Sequence, residues 1–510
     1  MLAKINSSTV FGLQSFLIEI EIDSSGGLPG TTIVGLPDTA VKESKERIYS
    51  AIRNSGYQNP VRKFTINLAP ANISKKGALF DLPIAIGILV ASSQVKNDHL
   101  NEIAILGELA LDGSVRKVNG VLPMCLKLKK EKINTVILPA DNAPEGALVK
   151  DLDIIPIINI KEAIDYLNHD KKISPFKVDL DKLFSEKTDY EHDFSDIKGQ
   201  TQAKRALEIS AAGGHNLLMI GSPGAGKTML ARTIPSILPG LQIDEALEIT
   251  KLYSVSGLLA DSQSLITKRI FRAPHHTISH VGLIGGGSIP KPGEVSLSHL
   301  GILFLDEFPE FNRTSLEVLR QPMEDGYVTI SRALASITYP ARFTLIAAMN
   351  PCPCGNYLDP TRECTCTPYQ VQHYWSKLSG PLLDRIDLHL EIPRLNDEDL
   401  TKYPQGESSY KIRKRVIIAR EIQTKRFADS STFTNSQMSP STIRKYCQLG
   451  EATSDLLYQA NKKYCFSGRS YDRILKVART IADLENTTDI QKHHLAEALQ
   501  YKAFKSHQLK

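Results

Sequence analysis

The tightest constraint in this 510-residue chain is one octapeptide. Gly221, Ser222, Pro223, Gly224, Ala225, Gly226, Lys227 and Thr228 satisfy the pattern G-x-x-x-x-G-K-[ST] at every fixed position. The motif works only between a strand and a helix, and both flanks qualify: 216–220 is an apolar run and 229–234 has helix-forming composition. Glycines let backbone N–H groups wrap a phosphate, a lysine neutralises it, and a hydroxyl can hold Mg²⁺. The expected site therefore takes ATP with Mg²⁺, Lys227 meeting the β- and γ-phosphates and Thr228 the metal.

A second apolar run, Gly301-Ile-Leu-Phe-Leu305, ends in Asp306 and Glu307. Asp306 is placed to hold Mg²⁺ through water and Glu307 to polarise the attacking water. Strands that end in acids are common alone and much rarer downstream of a complete phosphate loop. A third run, 342–349, ends in Asn350, which can reach the attacking water or the γ-phosphate, or can simply cap its strand.

Apolar content of 42% and charged content of 23% match soluble globular protein, and a net charge of +5 permits a nucleic-acid partner without arguing for one. No apolar run approaches the roughly 18 residues that span a bilayer. The start, Met1-Leu-Ala-Lys-Ile-Asn6, lacks a signal-peptide layout. A cytoplasmic protein without a membrane partner is expected.

Residues 1–170 read as mixed α/β: 15–23 and 63–68 alternate like half-buried strands, and 38–54 and 82–92 have helical spacing. Two segments here, Asn67-Leu-Ala-Pro-Ala-Asn-Ile-Ser-Lys-Lys-Gly-Ala-Leu-Phe-Asp-Leu82 and Gly107-Glu-Leu-Ala-Leu-Asp-Gly-Ser-Val-Arg-Lys-Val-Asn-Gly120, resemble the proteolytic domain of Lon-type proteases, a ribosomal-protein-S5-like fold. That resemblance implies a Ser–Lys dyad, but the corresponding positions are Leu79 and Leu122, and neither can act as nucleophile or base. A catalytically inactive domain with a binding or assembly role is expected. Its basic positions Lys75, Lys76, Arg116 and Lys117 suit either a DNA surface or a solvated face. Residues 171–195 are polar and charge-mixed, as in a linker.

Residues 196–395 hold the nucleotide motifs, and their order, followed by Leu378-Ser-Gly-Pro-Leu-Leu-Asp-Arg-Ile-Asp-Leu388, resembles the AAA+ ATPases of the chelatase and replicative-helicase branch. The resemblance implies Ile197–Gln200 beside the adenine and Asn350 as sensor 1. It also makes Arg385 an arginine finger for a neighbouring subunit's γ-phosphate, with an ion pair to Asp384 or Asp387 as the plainer alternative. In a C-terminal helical lid, 396–510, it implies Arg473 as sensor 2, Arg469 and Arg479 being the alternatives.

Further segments, Phe271-Arg-Ala-Pro-His-His-Thr-Ile-Ser-His280, Gly285-Gly-Gly-Ser-Ile-Pro-Lys-Pro-Gly-Glu294 and 321–339, extend the resemblance to the YifB/ComM family of magnesium-chelatase-like ATPases. It spans essentially the whole chain and implies an α/β fold: an AAA+ P-loop core, a helical lid and an N-terminal Lon-like domain. It also implies a homo-hexameric, ATP-driven DNA motor. Such a helicase promotes branch migration in homologous recombination and natural transformation, with single-stranded and branched DNA and recombination proteins as partners. A chelatase-type ATPase remodelling a partner protein is the rival. In hexameric helicases the insert after 271 and the hairpin 327–339 project into a central pore, so Lys291 and Arg332 become candidate phosphate contacts. His275, His276 and His280 lack clustered cysteine or acidic neighbours in sequence and read as structural.

Cys352, Cys354, Cys364 and Cys366 crowd into one segment. They can converge on a tetrahedral Zn²⁺, form redox disulfides, or stay unligated. Cys125, Cys447 and Cys465 are isolated and read as buried thiols. From Lys402 to Arg426, eight basic residues outnumber two acids, an excess suited to DNA phosphates or to a neighbouring subunit's acidic surface.

Overall fold

The computed structural model describes residues 2–75, 77–96, 98, 100–185, 190–261, 263–287, 290–332, 335–357, 359, 362–394, 406–430 and 432–508. Two compact units form: 1–186 with 243–267, and 187–242 with 268–510. Among the described residues no helix is long and apolar enough to cross a membrane.

The first unit is built on β1 (Leu2–Phe11), β2 (Gln14–Ser25), β3 (Gly30–Val34), β4 (Lys63–Ala69), β5 (Ile103–Ile105), β6 (Thr135–Pro139) and β7 (Asp153–Ile157). They make one mixed sheet in the order β3-β4-β2-β1-β5-β6-β7. The helix Asp81–Ala91 is apolar on all sides and buried along its whole length, packing on β1, β2 and the helix Thr39–Asn54. Asp38 starts the latter helix by accepting from the Val41 N–H at 2.8 Å.

Leu122 is fully buried, and its N–H donates to Glu145 at 2.7 Å. Lys75 cannot face DNA: it is fully buried and donates to the Pro70 carbonyl. Lys117 pairs with Asp261 at 2.7 Å, Arg116 stands 3.9 Å from Glu108, and Lys76 lies outside the described residues. The helix Ile243–Ser256, counted with the ATPase core on sequence, folds with this unit. It packs on the helix Val121–Lys130, and its Ser254 hydroxyl donates to Glu145 at 2.5 Å. Within 171–185, Leu180–Ser185 forms a short helix.

The second unit centres on β8 (Leu217–Gly221), β9 (Phe271–Arg272), β10 (Ile302–Leu305), β13 (Thr344–Met349) and β14 (Leu388–Ile392), with β11 (Tyr327–Arg332) and β12 (Ala335–Pro340) forming a separate antiparallel hairpin. The sheet order is β9-β10-β13-β8-β14, every pair parallel. β8 and β10 are buried at every position, as continuous apolar runs in a parallel sheet require. Because β8, β13 and β10 are neighbours, the phosphate loop, Asn350 and Asp306 emerge side by side at the carboxyl edge. The lid helices include Ser409–Arg426 and Gly468–Leu484. The latter is capped by Ser467 and buries Ile474, Leu475, Ala478 and Ile481.

Candidate functional site

At that carboxyl edge lies a cleft of about 680 Å³ whose walls include the phosphate loop, Asp306, Glu307 and Asn350. Gly224 and Gly226 hold φ of +82° and +84°, and a Cβ on either would meet nothing within 4 Å. The loop thus faces open space in a conformation glycine alone adopts freely. Lys227 is largely buried, and its Nζ donates to the Gly221 carbonyl at 2.6 Å, the Ser222 carbonyl at 3.1 Å and Asn350 Oδ1 at 3.1 Å. Burial pulls its pKa down, and the nearby Asp306 charge opposes that shift. The Thr228 hydroxyl donates to Asp306 Oδ2 at 2.7 Å, a hydroxyl–carboxylate pair able to share one hard cation.

Glu307 sits at φ +52°, a left-handed conformation unfavourable for a side chain of its size, with its N–H donating to Asp306 Oδ1 at 2.9 Å. Its carboxylate meets His276 Nδ1 at 2.9 Å. His275 and His276 both line the cleft. The acidic neighbour that His276 lacks in sequence is supplied across the sheet by Glu307. The pairing of β9 with β10 brings the residues shortly after Arg272 beside Asp306 and Glu307, a neighbour relation that the sequence does not mark.

Models of the magnesium chelatase subunit ChlI match residues 193–400, 20–142 and, for its C-terminal part, 406–502. The chain is 44% identical over 509 residues to the competence protein ComM of Haemophilus influenzae, covering 98% of this chain and 97% of that one. It is 43% identical over 505 residues to the uncharacterized protein YifB of Escherichia coli K12, with 98% and 97% covered. The chain belongs to the YifB/ComM family. A stretch of 146 residues, 28% of the chain, is 30% identical to Lon protease 2 of Bacillus subtilis. This YifB/ComM protein thus combines a ChlI-type AAA+ core and helical domain with an N-terminal domain partly similar to Lon.

Two arginines singled out on sequence stand away from the cleft of their own chain. Arg385 is buried and pairs with Glu324 at 2.8 Å, while its Nη1 donates to the Pro381 carbonyl at 2.8 Å. Arg473 Nη1 donates to Asp387 at 2.5 Å and to the Arg385 carbonyl at 2.6 Å. Burial would raise the Asp387 pKa, but the Arg473 charge and the His215 hydrogen bond outweigh it and hold the carboxyl far below the usual range. Arg469 reaches Glu324 at 4.0 Å, whereas Arg479 is buried on Asp483 at 3.0 Å.

The four clustered cysteines of this family member converge. All four sulfurs lie within 4.8 Å of one another, with Cys352–Cys354 at 3.3 Å, Cys354–Cys364 at 3.6 Å and Cys352–Cys364 at 3.7 Å. Tetrahedral zinc with bonds of about 2.3 Å needs sulfur separations of roughly 3.8 Å, so the donor set fits that ion. Backbone hydrogen bonding from Asn356 pulls the Cys354 thiol down, while burial pushes the other three thiols up. Gly355 lies against the phosphate loop: a Cβ there would come within 2.5 Å of Pro223. Cys125 and Cys447 are buried as expected; Cys465 is exposed, at the left-handed end of the helix Glu451–Tyr464.

Lys291 and Arg332 are both exposed. The basic excess of the lid is partly spent inside the chain. Arg415 pairs with Glu208 and Glu407, Arg420 donates to the Ala211 carbonyl, and Arg426 pairs with Asp483. Lys411, Lys414 and Lys425 stay exposed, and Lys402 lies outside the described residues.

Proposed function

We propose that this chain is an ATP-driven DNA motor, a cytoplasmic homo-hexamer that moves branched junctions and single strands during homologous recombination and natural transformation, alongside recombination proteins. The observation that carries the DNA part is the near-complete, 44% identical match to a competence protein, with the exposed Lys291 and Arg332 as phosphate contacts. Support for the chemistry comes from the convergence of Lys227, Thr228, Asp306, Glu307 and Asn350.

In this reading the phosphate loop and Lys227 bind the β- and γ-phosphates of ATP, and Thr228 with Asp306 holds Mg²⁺. When bound, Mg²⁺ would supply positive charge against the phosphates. Asn350 orients the attacking water, and Glu307 accepts its proton as the new P–O bond forms and the bond to the β-phosphate oxygen breaks, leaving ADP and phosphate. Arg385 serves a neighbouring subunit's γ-phosphate as an arginine finger, and Arg473 senses nucleotide from the helical lid as sensor 2. The four cysteines hold a structural Zn²⁺ that braces the phosphate loop through Gly355.

The test is ATP-dependent movement of a three-stranded DNA junction by purified protein, with Lys227→Ala as control. Resolution by wild type alone supports the motor. ATP hydrolysis that no DNA stimulates, with no junction moved, overturns it in favour of a chelatase-type ATPase acting on a partner protein, a reading favoured by the ChlI match over 193–400.

A further inference from the structure

The carboxyl end of β13 runs straight into the cysteine segment, and the turn between them is anchored on both sides. Met349, the last residue of β13, pairs with Ile220 of β8, so the sheet fixes the backbone up to Asn350. Pro351 follows, and a proline confines the residue before it to extended backbone. Pro351 is itself buried, and its carbonyl accepts the Trp375 indole N–H at 3.0 Å. Trp375 stands on the helix Pro368–Ser376, which a Thr367 cap starts directly after Cys366. Tyr374 and Trp375 are the only buried residues of that helix, so the indole is one of two side chains through which it meets the body of the unit.

The side chain that this anchoring governs is Asn350. Its Oδ1 accepts from Lys227 Nζ at 3.1 Å, which sets the amide: the oxygen turns to the lysine, and Nδ2 makes no hydrogen bond among the described residues. Asn350 lines the cleft, so Nδ2 is available there to a γ-phosphate oxygen or an attacking water. A Cβ on Gly355 would lie 3.9 Å from Asn350 Cγ and 2.5 Å from Pro223, so the cysteine segment packs close to both the amide and the phosphate loop. Amide hydrogen bonds weaken steeply when misaligned, and a small displacement of Pro351 swings the donor of the residue before it.

We propose that Trp375 is a positioning residue for ATP hydrolysis: its indole N–H, by holding the Pro351 carbonyl, keeps the Asn350 amide aimed at the γ-phosphate and its attacking water. This rests on the ATPase chemistry of the reading above and adds to it a residue that does not line the cleft.

Trp375 is the single tryptophan of the chain, so its indole can be exchanged during expression for a benzothienyl ring, which keeps the shape and has sulfur in place of the N–H. Steady-state ATP turnover of the full-length protein is measured for this form, for Trp375→Phe, for Asn350→Ala and for both substitutions together, beside the affinity for a fluorescent ATP analogue. The benzothienyl form and Trp375→Phe are each expected to lose about tenfold in kcat with KM and nucleotide affinity within about twofold of wild type, and Trp375→Phe to cost nothing further once residue 350 is alanine. Wild-type kcat in the benzothienyl form overturns the proposal, whether or not Trp375→Phe folds. So does a loss that Trp375→Phe repeats in full beside Asn350→Ala, or a matching loss of nucleotide affinity, either of which makes the indole a general prop of the unit. If Asn350→Ala itself turns over like wild type, the role given to Asn350 fails and this proposal with it. A defective Asn350→Ala beside a fully active benzothienyl form leaves that role standing and removes only Trp375.

Discussion

Among the buried lysines, Lys75 of the first unit and Lys227 of the second fare differently. Lys75 is wholly enclosed on a backbone carbonyl, and among the described residues no carboxylate pairs with it. Lys227 is nearly as buried, but it borders an open cleft, and its partners are two loop carbonyls and one amide oxygen. Burial lowers both pKa values; only Lys227 has a carboxylate near enough to oppose it. Burial alone does not make a lysine functional. What distinguishes Lys227 is that its present partners can be exchanged for the oxygens of a ligand entering the cleft.

Arg385 is the sharpest challenge to that contrast. It is buried like Lys75, yet its carboxylate partner Glu324 is 39% exposed and can be released. If exchangeability matters more than burial, Arg385→Ala lowers turnover about a thousandfold, leaves affinity for a fluorescent ATP analogue within about twofold, and regains activity when mixed with Lys227→Ala subunits. Loss of analogue binding would instead make Arg385 a structural cation. Next in size, Glu307→Gln keeps the shape of the cleft and removes the base, so kcat falls about a hundredfold with KM little changed in steady-state assays. An equal rise in KM would assign Glu307 to nucleotide binding.

The cysteines sharpen the comparison from outside, since Gly355 ties them to the loop that carries Lys227. Elemental analysis should find about one zinc per chain, and Cys352→Ser should lose it and weaken analogue affinity about tenfold by loosening the Pro223 contact. Zinc-free protein with wild-type affinity would separate the cluster from the phosphate loop.

The cleft was legible in the sequence to the extent that its parts are strand endings: apolar runs that stop at Gly221, Asp306 and Asn350 announce a parallel sheet whose carboxyl edge collects polar groups. What escaped depends on which strands are neighbours and on partners far along the chain. His276 meets Glu307 only because β9 lies beside β10. The lid's basic run reads as free charge until Glu208 and Asp483, both distant in sequence, neutralise part of it. Residues 243–267 carry no local mark of leaving the ATPase unit; Ile249, Leu252 and Tyr253 are an ordinary apolar face that the first unit happens to bury. Lys75 sits in a polar Ser-Lys-Lys segment, where nothing in the pattern signals full burial.

The smallest expected effect belongs to Lys75, and its sign is the informative part. A lysine whose folded pKa lies below its unfolded value binds fewer protons folded than unfolded between those two values. Stability therefore rises with pH across that window, and below it the protonated group is a constant cost. Lys75→Met removes the cost and loses the hydrogen bond to Pro70, two changes of about 1 kcal/mol each and opposite in sign, so stability near pH 7 should move by no more than about 1 kcal/mol. Denaturant titrations at pH 7 and pH 9.5 should then show wild type gaining on Lys75→Met as pH rises, with ATP turnover equal in the two proteins. Turnover that falls with Lys75→Met would mean the enclosed lysine does more than fill space, and the contrast with Lys227 would have to be drawn on other grounds than exchangeable partners.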